Sequence, residues 1–343
     1  MDSVTQIVLG AAVADATAGK QFGRKAALYG AIFGTLPDLD VLVPLGDVVS
    51  DFTYHRSATH SLFMMLLVTP LFAWLLNKWQ STAVGNQFWR WFCLVYFCLS
   101  THALLDSFTV YGTQIFWPLI DYSATWSTVF IIDPLYTLPL LIGLSVSLLR
   151  HKNNGDSGKA NTIGLLISTA YLCWSGFVKL YVEHIAWNSL PIKPDPSTQV
   201  LTTPTPFNTF LWRVIVIHDN SYYDSFYSIF DGEAKPVFTP YPQSKELLTG
   251  IENSWAVERL SWFTKGFYRV DIEDNQVILS DIRMGLEPHY VFNFAVGQIG
   301  AEKITPIKPR TVTAPRDFSS ISKIWDRIWD PAVTLTPNTK LSD

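Results

Sequence analysis

SATHSLFMMLLVTPLFAWLLN, residues 57–77, contains no Asp, Glu, Lys or Arg. A run of about 20 such residues is long enough to cross a bilayer as a helix, the form in which a spanning segment satisfies its own backbone hydrogen bonds. Residues 160–178, ANTIGLLISTAYLCWSGFV, are free of the same four residue types. Residues 91–105 and 134–149 are shorter apolar runs that become spans once their flanks are included, and residues 26–45 form a less apolar one. Residues 4–18, VTQIVLGAAVADATA, are rich in Ala and Gly, which suits close helix packing. No basic region precedes this first run, so it does not read as a cleavable signal peptide. The expected fold is an α-helical polytopic membrane bundle of about six segments.

The second part of the chain differs. Residues 1–190 carry 10 Lys/Arg and 11 Asp/Glu, whereas the shorter stretch 191–343 carries 15 and 18. The net charge of −4 excludes a nucleic-acid partner held by bulk positive charge. A 16% charged and 48% hydrophobic composition argues against disorder for most of the chain. Pro191, Pro194, Pro196, Pro204 and Pro206 mark a stiff connection. Beyond it RVIVIHD, YYDSFYSIF, FYRVDIED and NQVILSDIRM read as strands, with turn residues at Asp231-Gly232 and Asp274-Asn275. SSISKIWDRIW, residues 319–329, reads as an amphipathic helix, and the last ten or so residues as a frayed end. Three domains result: 1–186, a membrane-embedded helical domain with the candidate metal site; 187–204, a Pro-rich linker; and 205–343, a small mainly-β domain with a short C-terminal helix. Cys93, Cys98 and Cys173 all lie in apolar runs, so no disulfide framework is visible.

Basic residues orient the spans. Lys20, Arg24 and Lys25 separate the first two segments; Lys78 and Arg90 flank the next cytoplasmic connection; Arg150, Lys152 and Lys159 fill the third. The alternate connections, 38–59 and 106–133, hold one basic residue, Arg56. Positive loops stay inside, which places the N-terminus, the alternate connections and the β domain outside the cytoplasm.

On this topology the ionisable residues crowd one membrane face. Asp38 and Asp40 sit in TLPDLD, His55, Arg56 and His60 in HRSATHS, and His102 and Asp106 in STHALLDS, with Asp2 and Gln6 at the outer start of the first segment. Ionisable groups at such depth are costly and take partners. His102 and Asp106 are four apart, on one helix face. Imidazole with carboxylate is a ligand mix for a divalent metal, Zn or Mn foremost, as one or two ions. The candidate ligands are Asp38, Asp40, His55, His60, His102 and Asp106, with Asp2 and Gln6 as weaker contributors. Arg56 is a candidate for neutralising an anionic substrate, and Asp40 for a catalytic role beside it. His218 and His289, in the polar part, show no ligand spacing around them.

MDSVTQIVLGAAVADA, GRKAALYGAIFGTLPDLDVL, FTYHRSATHSLF and THALLDSFTVYGTQIFWP together resemble the YdjM-like (DUF457) family of bacterial inner-membrane metal-dependent hydrolases. The resemblance covers residues 1–118, and the polar domain after residue 205 is similar to the C-terminal extension of one branch of that family. It implies a membrane-bound, metal-dependent hydrolase in the inner membrane, with Asp38, Asp40, His55, His60, His102 and Asp106 at the matching polar positions. Ser57 stands where many relatives have Gly, and Gln6 where many have His, a poorer ligand there. The function expected is hydrolysis at the outer membrane face of a lipid or lipid-linked phosphoester, with membrane lipid as partner. The alternative is a non-catalytic membrane protein with a structural metal site and a partner-binding β domain.

Overall fold

The computed structural model describes residues 1–151, 158–313 and 319–335. Lys152 and the final residues 336–343, part of the cytoplasmic-loop and frayed-end readings, lie outside the described residues. The chain divides into two compact units: Met1–Val43 with Tyr54–Gly176, and Pro44–Thr53 with Phe177–Asp343.

The first unit is helical. It contains α1 (Ser3–Phe22), α2 (Arg24–Thr35), the end of α3 (Val48–Tyr54), α4 (Leu62–Val84), α5 (Phe88–Ser107), α6 (Pro134–His151) and most of α7 (Gly158–Trp187). Asp2 caps α1 by accepting from the amides of Val4 and Thr5. Gly23, at φ +58°, turns the chain into α2, a conformation glycine adopts without steric cost. The two helices then pack backbone to backbone: a Cβ on Gly10 would lie 2.3 Å from the Gly30 carbonyl oxygen, and one on Gly34 2.5 Å from that of Gln6. Trp91 of α5 is buried, stacked on Phe22 at 3.9 Å and edge-on to Tyr29. Gly143 and Gly164 allow a similar close approach of α6 and α7. Polar side chains tie the unit together: Ser147 donates to Asp15 at 2.7 Å, Asn161 to the Ala12 carbonyl at 2.7 Å, and the half-buried Tyr171 to Asp133, just before α6, at 2.9 Å.

All six expected segments appear as helices, but among the described residues only three are long and apolar enough to cross a membrane. These are α4 over Leu62–Gln80, α5, and α7. α6 is apolar and shorter. α1 is long enough, yet Thr5, Gln6 and Asp15 are among its many buried residues, and its small side chains lower its apolarity. α2 has 12 residues and gives way to a 3₁₀ helix over Leu36–Leu42, with Pro37 in its first turn.

The second unit is mainly β. One antiparallel sheet has the order β1 (Gln199–Pro204), β2 (Leu211–His218), β3 (Ser221–Ser228), β4 (Thr239–Pro242). The other has the order β10 (Ile304–Thr311), β9 (Asn293–Ile299), β6 (Gln276–Asp281), β5 (Tyr268–Glu273). β7 (Gly285–Leu286) and β8 (His289–Tyr290) form a two-residue ladder, and α8 (Trp255–Thr264) and α9 (Ser319–Trp329) complete the unit. β1 begins inside the stretch the sequence reads as linker. Asp274 and Asn275, both at positive φ, join β5 to β6. β2 is buried on both faces, which explains its unbroken apolar run. Trp212, Val214 and Val216 pack with Val178, Val182 and Ala186 from the end of α7, while Ile215 and Ile217 pack with Tyr222, Tyr241 and Phe267. Arg213 lies between them and survives burial through a bidentate pair with Asp224.

Candidate metal centre

Four chain segments of the first unit bring polar side chains together. The 3₁₀ helix after α2 supplies Asp38; a short 3₁₀ turn, Ala58–His60, supplies His60; and the last turns of α5 supply His102 and Asp106. The start of α1 supplies Gln6 behind them. The His60 and His102 Nε2 atoms are 3.1 Å apart. Asp38 Oδ1 lies 3.4 Å from each of them. Asp106 Oδ2 lies 3.2 Å from His60 Nε2 and 3.5 Å from His102 Nε2. All four ligand atoms fall within 4.8 Å of one another. His60, His102 and Asp106 are fully buried, while the Asp38 side chain is 21% exposed and forms the open side.

Hydrogen bonds at the far side of each imidazole fix where its proton sits. His102 Nδ1 is 2.7 Å from the Gly34 carbonyl oxygen, which only accepts, so Nδ1 carries the hydrogen. Thr59 donates its hydroxyl proton to Asp40 Oδ2 at 2.7 Å, so its oxygen is left to accept from His60 Nδ1 at 2.9 Å. In the neutral rings both Nε2 atoms therefore present lone pairs to each other. Two lone pairs at this distance repel unless a cation or a proton lies between them. Asp38 Oδ1 and Asp106 Oδ2, both buried, receive no hydrogen bond either. Four electron-pair donors thus converge without a donor hydrogen among them. Metal bonds of about 2.0–2.2 Å in a tetrahedron place ligand atoms about 3.3–3.6 Å apart, close to the separations found here. The residues fit a single divalent ion, and imidazole with carboxylate matches Zn or Mn chemistry.

The remaining sequence candidates stand one step behind. Asp40 is not in the four-atom group: its Oδ1 accepts from His55 Nδ1 at 2.7 Å and its Oδ2 from the Arg56 amide at 3.1 Å as well as from Thr59. His55 is therefore paired with Asp40 rather than placed among the four; its side chain is 20% exposed. Arg56, at φ +64° and 4% exposed, forms an ion pair with Asp106, its Nε 3.2 Å from Oδ2 but outside hydrogen-bond geometry, and lies 5.0 Å from the centre of the Tyr111 ring. Its charge faces a carboxylate of the centre. Gln6 donates to Asp106 Oδ1 at 3.0 Å, and the Met1 ammonium pairs with the same oxygen, which leaves Oδ2 to face the histidines. Asp2 is the cap of α1. Thr59, Thr109, Tyr111 and the Gly34 carbonyl escape the sequence reading. Thr59 alone left a trace there, as the residue next to a candidate ligand in THS. In the second unit, Asp195, His218 and Asp219 also come within 4.8 Å of one another, although Asp219 is largely exposed and Asp195 caps its own turn through Ser197 and Thr198.

A helical membrane unit carrying a His₂Asp₂ group, buried except at Asp38, defines the class. The chain belongs to the YdjM inner membrane protein family, whose model matches residues 1–182. The match covers all four segments that build the centre and stops before the sheets. No curated protein and no solved structure matches the chain.

Proposed function

We propose that the protein is a membrane-bound, metal-dependent hydrolase acting on a lipid or lipid-linked phosphoester. The observation that carries this reading is the convergence of two imidazole lone pairs and two unsatisfied carboxylate oxygens on one point. Asp38, His60, His102 and Asp106 would hold the ion; when bound, it supplies Lewis acidity at a phosphoryl oxygen and lowers the pKa of the attacking water. Substrate approaches past Asp38, where His55 and Asp40 line the entrance. Asp40 accepts the His55 Nδ1 hydrogen and so leaves Nε2 as a base, the orientation that general-base histidines take from a carboxylate. His55 takes the proton of the attacking water at Nε2, and Asp40 stabilises the resulting imidazolium. Arg56 pairs with Asp106 and holds it in its ligating position.

Closure of the centre by four protein ligands favours a second reading, a structural ion, because catalytic sites usually keep one position for water. Metal analysis of the purified protein, joined to turnover of a generic aryl phosphodiester, separates the two. The hydrolase reading expects one ion per chain, lost in His60→Ala, and a fall on the order of 10²-fold in turnover for His55→Gln with the metal retained. Full metal content in His60→Ala removes the centre. Retained metal with His55→Gln indistinguishable from the parent leaves the structural ion.

A further inference from the structure

Residues Pro44–Thr53 belong to a different unit from their neighbours on both sides. They form a strap that links the turn bearing Asp38 and Asp40 to the stretch bearing His55, Arg56 and His60, and their own packing is with the sheets. The Phe52 ring lies 4.9 Å from that of Phe263, 4.6 Å from that of Phe292 and 5.1 Å from that of Phe294, and the residue is buried. Arg259 Nε donates to Thr53 Oγ1 at 3.0 Å, and its Nη2 to the Thr53 carbonyl at 3.4 Å. Trp262 backs the guanidinium at 4.2 Å. The strap is also stiff. Asp47 accepts from the amides of Val49 and Ser50 at the start of α3, Asp51 accepts from the Leu45 amide at 2.6 Å, and Thr53 donates to the Val49 carbonyl at 2.8 Å.

We propose that the second unit clamps this strap, and that Phe52, Thr53 and Arg259 are positioning residues for the metal centre. The clamp's consequence for metal rests on the reading of the centre given above; the clamp itself rests on the contacts of the strap. Thr53 is two residues from His55, and a residue spans at most about 3.6 Å, so little slack separates the clamp from the entrance pair. α3 runs unbroken from the clamped side chains to Tyr54, which carries any displacement of Phe52 directly into the His55–Arg56 turn. Metal–ligand distances keep within about 0.2 Å of their standard values, so a turn that wanders holds its ligand atom less well. The sheets and α8, which lie beyond the family match, thereby gain a role in a centre to which they contribute no ligand.

The test uses the full-length protein in detergent. Phe52→Ala removes the aromatic anchor. Arg259→Lys keeps the charge but loses the two-point grip on Thr53, and Arg259→Ala loses both. A four-residue Gly-Ser insertion after Gly46, which sits at φ +115° with open space around it, slackens the strap without touching a packed side chain. Hydrogen exchange is followed in residues 36–43 and 54–61, and Zn²⁺ affinity is measured by competition titration. Exchange should quicken by about tenfold in 54–61 for Phe52→Ala and in 36–43 for the insertion, with the exchange of α4, α5 and α7 unchanged. Zn²⁺ affinity should fall by about tenfold, within the range seen when groups behind metal ligands are lost. Arg259→Lys should fall between the parent and Arg259→Ala. Parent-like exchange in both turns for the insertion variant overturns the clamp, and the insertion decides if Phe52→Ala does not fold. A parent that binds no Zn²⁺ defeats the metal centre instead, and the exchange measurement still decides the clamp.

Discussion

Thr59 shows how much a single hydroxyl decides. It donates to Asp40 and accepts from His60 Nδ1, so one residue links the Asp40–His55 pair to the clustered His60 and sets the tautomer of that imidazole. Groups behind metal ligands typically account for about 10- to 100-fold in metal affinity. Thr59→Val, which keeps the shape and removes the hydroxyl, is therefore expected to weaken Zn²⁺ binding by about tenfold or more. Thr59→Ser should restore it, and equilibrium competition with a chelating dye reads both. Equal affinity in Thr59→Val and the parent would show that His60 needs no such partner. Sequence made the four clustered residues legible as candidates because each is an ionisable residue at the end of an apolar run, where burial demands a partner. The same pattern includes Asp40 and His55, and spacing alone does not tell a ligand from the group behind it. That distinction depends on which atom points inward. The Gly34 carbonyl that orients His102 has no side chain to announce it.

At the scale of the element, α1 and α2 place the rear wall of the centre. Gln6 of α1 reaches Asp106, and the Gly34 carbonyl at the end of α2 reaches His102, so the distance between these helices is part of the site. Gly10 and Gly30 set that distance: a Cβ on either would sit within 2.3 Å of the other's carbonyl oxygen. The Ala- and Gly-rich composition was readable as close packing. That α1 and α2 pack so closely on each other while lacking the combined length and apolarity of a span was not, since composition does not say which faces meet. Gly10→Val is expected to force the helices apart and destabilise the bundle by about 1–3 kcal/mol, the usual range for overpacking. Gly176 in α7 is the control, as a Cβ there meets nothing within 4 Å. Gly176→Ala should leave the melting temperature unchanged or raise it slightly, because alanine loses less backbone entropy in a helix. Thermal unfolding in detergent with metal content measured alongside checks both. A parent-like melting temperature and a full metal complement in Gly10→Val would mean that the contact does not constrain the site.

At the scale of the whole molecule, the division into an apolar first part and a charged second part was legible from residue counts alone, because lipid and water select opposite compositions. The cut between them was harder to place. α7 is one continuous helix whose last turns pack on β2, and the strap at 44–53 returns to the second unit from inside the first. Neither feature has a signature in local composition: an amphipathic helix end and a short Asp-containing loop read the same whatever they touch. Orientation rests on the distribution of Lys and Arg, with Lys20, Arg24, Lys25, Lys78, Arg90, Arg150 and Lys159 on one set of connections and Arg56 alone on the other. The structure adds a physical reason to set Arg56 aside, since it is buried against Asp106 and does not act as a loop charge. The opposing connections are then left without a free basic residue, and the bias for cytoplasmic Lys and Arg becomes one-sided. We therefore expect alkaline phosphatase fused after residue 205 to be active and a green fluorescent protein fused at the same position to be dark, with the reverse for fusions in the Lys78–Arg90 connection. Charge inversion offers a sharper check. Introducing three lysines into the 118–122 stretch should lower phosphatase activity of the 205 fusion, because it sets the two faces in competition. A bright fluorescent fusion after residue 205 would turn the protein over, place the entrance beside Asp38 on the cytoplasmic face, and move the substrate to the inner leaflet.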